Sequence, residues 1–218
     1  HIPLQQLTKE AYFYGMKFFV NENVLIPRQD TEVLVEQVLS LSKGKENLKL
    51  LDMCTGSGCI LLALLANLKQ ASGTGVDLSE KALEVAQRNG EELGIEVSWV
   101  QRDLFDKVSG SYDIIVSNPP YIETSVIEGL MDEVKLYEPR MALDGTEDGL
   151  FFYREITMQA GKYLKNNGIL AFEIGYNQGK AVSEFMKENG YKEVQVLQDL
   201  AGLDRVVTGR IEKEEQHV

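Results

Sequence analysis

The period of the apolar positions changes several times along the chain, and each change marks an element. "RQDTEVLVEQVLSLS" carries Val33, Leu34, Val38 and Leu41 at helical spacing behind Asp30 and Thr31, which predicts a side-chain-capped helix. "LKLLDM" and "GTGVDL" are apolar runs of strand length, each followed by a helical pattern, "GCILLALLANL" and "SEKALEVAQRNGEELG". In the second of these helices Leu83, Ala86 and Leu93 share one face. "EVSWVQ" and "YDIIVS" add two strands, "GLFFYREITMQAGKYL" a helix, "GILAFEIG" a strand and "NQGKAVSEFMKENG" a helix. "YKEVQVLQ" and "DRVVTGRI" follow as strands with no helix between them. Strands that alternate with helices over most of a chain imply βαβ units and a mostly parallel sheet. The expected fold is α/β: a Rossmann-like, doubly wound, mostly parallel seven-stranded sheet that closes with an antiparallel pair. Upstream, "AYFYGMKFFVNENVLIP" mixes aromatics with a glycine and an Asn-Glu-Asn turn, which predicts a β-hairpin. The expected division is a hairpin and linker over 1–30, the α/β domain over 31–212, and a disordered polar tail over 213–218.

Composition narrows the function. The chain has 218 residues, 44% of them hydrophobic, enough for one large domain with a sizeable core. No apolar run reaches the roughly 18 residues of a membrane span, and neither a membrane segment nor a signal peptide is expected. A formal charge of −12 disfavours a surface that grips nucleic acid by its phosphates. Cys54 and Cys59 are the two cysteines, too few for a zinc set, so no metal is expected and they read as free thiols in a reducing cytoplasm. His1 and His217 stand at the ends, away from any site. A chain that begins with His rather than Met is expected to be a piece of a longer one.

Ligands of doubly wound sheets bind at the carboxyl ends of the strands, and the unusual residues collect there. "LLDMCTGSGC" puts Asp52 at the end of one strand and Gly56 and Gly58 in the turn to a helix, where free N–H groups and a close backbone approach suit a ligand. Asp77, ending the next strand, can accept hydrogen bonds from both hydroxyls of a ribose. The turn lacks the full G-x-G-x-x-G pattern of a dinucleotide site, and there is no phosphate-binding lysine motif. An adenosyl cofactor without phosphate fits better, and S-adenosylmethionine, with its cationic sulfonium, suits a region holding Asp52, Asp77 and Asp103. Leu104 can pack against an adenine ring.

"SNPPY", residues 117–121, then acquires a use. A planar NH₂ group is a weak nucleophile because its lone pair is delocalised. The Asn118 side-chain oxygen and the Pro119 carbonyl can each accept one of its N–H groups, hold the nitrogen toward a sulfonium methyl and stabilise the charge that develops. Pro119 and Pro120 fix the backbone that aims those acceptors, and Tyr121 can pack flat on the substrate. No general base is in sight and none is required. The same clamp would serve an adenine-N6 methyltransferase on DNA or RNA, with the base flipped out and stacked on Tyr121. A cofactor-binding module without catalysis is the other alternative, although it would have no need of two amide acceptors.

Further motifs occur in order: "VLIPRQDTE", "DMCTGSG", "VDLSEKALEVAQRN", "DLF", "DIIVSNPPYI", "EPRMALDGTEDGLFFYREI", "LAFEIGYNQG" and "DLAGLDRVVTGR". Together they resemble the peptide chain release factor N5-glutamine methyltransferases (the PrmC/HemK family) over residues 3–210. "NPPY" alone is shared with DNA adenine methyltransferases, whereas "EPRMAL" followed by "DGLFFYREI" is far more specific. The resemblance implies a class I S-adenosylmethionine-dependent methyltransferase that methylates the glutamine amide of the GGQ motif in class 1 release factors, as a cytoplasmic monomer. By position it implies that Cys54, Thr55, Gly56, Ser57, Gly58, Asp77, Leu104 and Asn118 line the cofactor. Asn118, Pro119, Pro120 and Tyr121 would hold the glutamine, and the loop around Pro27 and Arg28 would shield the site. Two departures stand out. Cys54 replaces the usual glycine, where an extended backbone is expected to accommodate the thiol. The helical N-terminal domain with which family members grip the release factor is not expected in this chain.

Overall fold

The sheet sorts its side chains by strict alternation. In the computed structural model, which describes residues 2–213, Leu50, Ile114, Val116, Ile169 and Ala171 belong to one buried cluster. Their neighbours Leu51, Ile115, Leu170 and Phe172 belong to another. Such two-sided apolar strands need helices on both faces. The strands are β3 (Lys49–Met53), β4 (Ser72–Asp77), β5 (Ser98–Gln101), β6 (Tyr112–Ser117), β7 (Leu164–Glu173), β8 (Tyr191–Gln198) and β9 (Asp204–Ile211). Their order is β5-β4-β3-β6-β7-β9-β8. The first five are parallel, while β9 runs antiparallel to both β7 and β8. The seven predicted strands, the mostly parallel order and the antiparallel closure are all present. The chain steps outward from β3 through β4 to β5, then returns to place β6 on the other side of β3. The β3/β6 boundary is therefore the switch point at which open α/β sheets bind ligands.

Helices α2 (Glu32–Leu41) and α3 (Cys59–Asn67) supply Leu34, Val35, Val38 and Leu61 to the first cluster. Helices α8 (Phe151–Tyr163) and α9 (Gly179–Glu188) supply Tyr153, Ile156, Val182 and Met186 to the second. Helix α4 (Glu80–Leu93) is capped by Ser79, whose hydroxyl oxygen accepts the Ala82 N–H at 3.2 Å. The expected cap on α2 is absent. Thr31 has helical backbone angles and makes no capping bond, because a 3₁₀ turn over Gln29–Thr31 precedes the helix and Asp30 instead reaches Arg205 at 3.4 Å.

The N-terminal hairpin pairs β1 (Glu10–Phe13) with β2 (Met16–Phe19). Its turn is Tyr14-Gly15 rather than the Asn-Glu-Asn stretch, which follows β2. A short helix α1 (Leu4–Thr8), which the apolar pattern did not announce, precedes it. Phe13 and Phe18 enter the same cluster as α2 and α3. Asn89 of α4 accepts the Phe19 N–H at 2.7 Å and donates to the carbonyls of Phe19 and Ser57 at 3.1 and 2.9 Å, which ties hairpin, helix and glycine-rich turn together. Between β6 and α8 the chain makes three single-turn helices, α5 (Thr124–Ile127), α6 (Asp132–Lys135) and α7 (Arg140–Leu143), none legible as periodicity. No helix among the described residues is long and apolar enough to cross a membrane. His217 and all but the first residue of the expected tail lie outside the described residues.

Trp99, the single tryptophan, lies against glycines: a Cβ on Gly75 would sit 2.4 Å from its Cζ3, and one on Gly58 2.8 Å from its Cη2. Gly75→Ala is expected to displace the indole and cost about 1–3 kcal/mol of stability, as overpacking does. Denaturant unfolding followed by Trp99 emission measures both effects. Two carboxyl groups are also fully desolvated. Asp52 is 0% exposed in β3 and Glu173 is 2% exposed at the end of β7, and burial pushes each up to about 7. Between their unfolded values and 7 the native state holds protons that the unfolded chain has released, so stability is full at low pH and falls as pH rises through 7. The melting temperature is expected to rise as pH is lowered from about 8 to 5, each group contributing on the order of 1 kcal/mol per pH unit at most. Asp52→Asn should flatten that slope, measured against the parent protein in the same buffers.

Candidate active site

The turn after β3 is built from left-handed residues at alternate positions. Cys54, Gly56 and Gly58 have φ of 60°, 54° and 78°. The expectation of an extended backbone at Cys54 is therefore wrong. The chain must reverse within five residues from a buried strand into α3, and position 54 takes the left-handed form although it carries a side chain, a strain of about 1–2 kcal/mol. Burial, and then the charges of Asp77 and Asp52, hold its thiol well above the usual cysteine value, so it rests as a neutral thiol.

Two carboxylates shape this turn from below. Asp52 Oδ2 accepts the Thr55 hydroxyl at 2.6 Å, and Oδ1 is left without a partner. Asp77 takes the Gly56 N–H on Oδ2 and the Ser79 N–H on Oδ1, both at 2.9 Å. Burial raises the Asp77 carboxyl, opposed by those N–H bonds. Each ionised carboxylate oxygen can accept two hydrogen bonds, so Asp77 keeps one site on each oxygen for hydroxyl donors above it.

A cavity of about 370 Å³ opens over these groups, within the range of a small-molecule site. Its lining includes Cys54, Thr55, Gly56 and Ser57 from the first turn, Asp77 after β4, and Asp103 and Leu104 after β5. Asn118 and Pro120 line it after β6, and Pro27 and Arg28 line it from the loop before α2. Three predicted residues are not in the lining. Gly58 is the N-cap of α3 and lies beneath the floor, against Trp99. Pro119 is buried, and no backbone N–H among the described residues donates to its carbonyl. Tyr121 is half-buried, its ring edge beside Gly175, where a Cβ would stand 3.5 Å from Cδ2. Burial and then the Glu173 carboxylate hold the Tyr121 phenol above its usual value. The cavity therefore gathers the predicted cofactor residues apart from Gly58, with Asn118 among them, and leaves Tyr121 beside a second group of charges. No cluster of His, Cys, Asp or Glu able to hold a metal ion occurs among the described residues.

The "NPPY" segment is fixed from several sides. The Ser117 hydroxyl donates to the Met53 carbonyl at 2.6 Å. Gln178, from the "GYNQG" stretch, donates through Nε2 to the carbonyls of Tyr121 and Gly149 at 3.0 and 3.2 Å, and accepts the Gly175 N–H at 2.9 Å. Gly149 is required there, since a Cβ would fall 2.4 Å from the Tyr121 carbonyl oxygen. At the cavity mouth Arg28 pairs with Glu138 at 2.5 Å, and the Glu138 side chain is 1% exposed. This pair joins the loop before α2 to the segment carrying α5, α6 and α7. The family resemblance marked Arg28 for a role, whereas Glu138, Glu173 and Gln178 stood inside the quoted motifs "EPRMAL" and "LAFEIGYNQG" without a role being assigned to them.

Comparison with known proteins places the chain in a family. A family model described as Methyltransferase small domain matches residues 28–134. A release factor glutamine methyltransferase of Fusobacterium nucleatum is 47% identical over 211 residues, 95% of this chain and 60% of that protein. Its counterpart in Thermodesulfovibrio yellowstonii is 44% identical over 209 residues, 94% of this chain and 75% of that protein. Among solved structures, a protein-(glutamine-N5) methyltransferase (release factor-specific) from Alicyclobacillus acidocaldarius is 28% identical, with a TM-score of 0.53 over 90% of this chain and 100% of that one. The chain belongs to the family of release factor glutamine methyltransferases.

Proposed function

We propose that this protein transfers a methyl group from S-adenosylmethionine to the side-chain amide nitrogen of the glutamine in the GGQ motif of class 1 release factors, and so modulates translation termination. The observation that carries the reading is a single cavity that reaches from the Asp77 carboxylate to the Asn118 amide. The lining fits the cofactor: Asp77 has acceptor capacity left for a pair of hydroxyls, Leu104 offers an apolar face, and the turn of Cys54–Ser57 brings backbone close to the ligand. S-adenosylmethionine supplies an electrophilic methyl group on a cationic sulfur.

The chain's own residues then act on the amide. Asn118 Oδ1 and the Pro119 carbonyl each accept one N–H, which turns the nitrogen lone pair toward the methyl and offsets the positive charge that grows on nitrogen. With the cofactor bound, the amide nitrogen held in this way would take up the methyl group that the sulfonium supplies and give up one N–H proton to the acceptors or to water. Pro119 and Pro120 keep these acceptors aimed at no ordering cost. Tyr121, held through its carbonyl by Gln178, contributes by fixing the loop and by closing its outer side. Arg28 and Glu138 hold the loops at the mouth and limit water there.

Asn118→Ala is expected to lower turnover about a hundredfold or more while S-adenosylmethionine affinity stays within about threefold, the pattern of an interaction made to the reacting nitrogen. Mass spectrometry of a release factor after incubation measures the methyl gain at the GGQ glutamine, and calorimetry the cofactor affinity. Methylation of nucleic acid in place of release factor, or near-normal turnover by Asn118→Ala, would overturn the reading.

A further inference from the structure

Glu173 is a buried carboxyl group that the scheme above leaves without a task. It ends β7, one strand over from the β6 end that carries Asn118, and Phe172 pairs with Ser117 just before the two residues. Asn118 stands beside it across the strand ends, and Asn118 and Thr31, from the turn before α2, both favour its ionised form, although neither closes a hydrogen bond to the carboxylate. Oε2 has no partner at standard geometry. Arg205 of β9 is the nearest cation, but it is shared: it donates to Asp199 at 3.0 Å and pairs with Asp30 at 3.4 Å. The other titratable groups facing Glu173 are Tyr121 after β6, Tyr153 of α8 and Cys59 of α3, and Tyr153 donates to the Glu173 carbonyl at 2.9 Å. An incompletely neutralised carboxylate in the core is costly, and apolar residues could fill the same volume. What it does for its neighbours is therefore the question.

An asparagine amide has two unlike ends. Methyl transfer to a glutamine nitrogen needs the oxygen end facing the cavity, because the substrate brings N–H donors. A backbone strand end does not choose between the two ends, but an ionised carboxylate does, since it only accepts hydrogen bonds. We infer that Glu173 is the positioning residue for Asn118: its carboxylate takes the Nδ2 end of that side chain and thereby turns Oδ1 toward the substrate amide. Protonated Glu173 presents a donor instead and releases the selection, so the clamp is set only in the ionised form. Burial pushes this carboxyl up to about 7, while Thr31, Arg205 and Asn118 pull it back. This inference rests on the proposed function of the site.

The test compares the parent protein, Glu173→Gln and Thr31→Val. A neutral Gln can offer Asn118 either end. It is expected to lower kcat about tenfold or more with cofactor affinity within about twofold, and to remove the acid limb of the kcat–pH profile that the parent shows with a midpoint near 7. Thr31→Val removes a hydroxyl that favours the ionised carboxylate and should move that limb to higher pH. Because Glu173→Gln removes a buried group, nitrogen-resolved NMR of the side-chain amides provides a readout that needs no turnover. The Asn118 Nδ2 signal of the parent should titrate with the same midpoint, and shift its midpoint upward in Thr31→Val. Parental kcat and pH profile in Glu173→Gln, or an Asn118 signal that does not move between pH 5.5 and 8.5, would overturn the inference. A parent protein that methylates no release factor defeats the functional reading instead, and the NMR titration still decides this one.

Discussion

The Asp77 carboxylate holds the site in shape. It takes the Gly56 N–H on one oxygen and the Ser79 N–H on the other, so one side chain joins the turn after β3 to the start of α4. Parallel strands end in peptide groups that no neighbouring strand satisfies, and the loops leaving them must find partners elsewhere. Here one desolvated anion satisfies two N–H groups and keeps acceptor sites free above them. One strand over, Asp52 accepts the Thr55 hydroxyl on Oδ2 and so fixes the turn from within. Loss of either carboxylate would free a turn in which Cys54, Gly56 and Gly58 are held left-handed, one of them against the preference of its side chain.

A second set of contacts brings distant segments to this frame. Gln178 lies 57 residues from Tyr121, yet its amide fastens the end of "NPPY" and the Gly149 carbonyl while its oxygen takes the Gly175 N–H. All three polar ends of the amide used in this way are directed at backbone, so the contact sets position. Asn89 plays the equivalent part below, joining Phe19 of the hairpin to Ser57 of the glycine-rich turn. The hairpin thereby becomes part of the wall of the catalytic domain, with Phe13 and Phe18 in the shared core.

The alternation of strands and helices was legible because two-sided burial writes continuous apolar runs into β3, β6 and β7 and an amphipathic period into α4 and α9. That Asp77 and Gly56 line the cavity was legible for a related reason: they stand at fixed offsets from strand ends, where backbone geometry leaves few choices. The α2 cap misled, since Asp30 and Thr31 have the right chemistry for capping, but Asp30 pairs with Arg205 of β9 and Thr31 is already wound into the 3₁₀ turn before the helix. Cys54 misled in the opposite direction, because the backbone angle is imposed by the turn and not by the residue. The one-turn helices between 124 and 143 leave no period to read. Glu173 and Glu138 stood inside quoted motifs, "LAFEIGYNQG" and "EPRMAL", yet their burial was not legible, because in one dimension a buried carboxylate looks like any solvent-facing acid.

The Arg28–Glu138 pair shows why such hidden acids matter. Glu138 is buried, its Oε2 has no partner, and burial raises its carboxyl against the pull of Arg28. A pair with one partner buried and the other partly in water recovers little net stability. Its retention is better explained by what it joins: Arg28, which lines the cavity, and the segment whose Pro139 and Met141 line the same cavity from the opposite side. Neither loop has a regular element long enough to hold itself in place. Gln6 of α1 also donates to the Tyr137 carbonyl beside it, so the fastening continues into the N-terminal helix. Residues 137 and 138 therefore tie α1 on one side and Arg28 on the other to the segment that carries Pro139 and Met141 into the cavity lining.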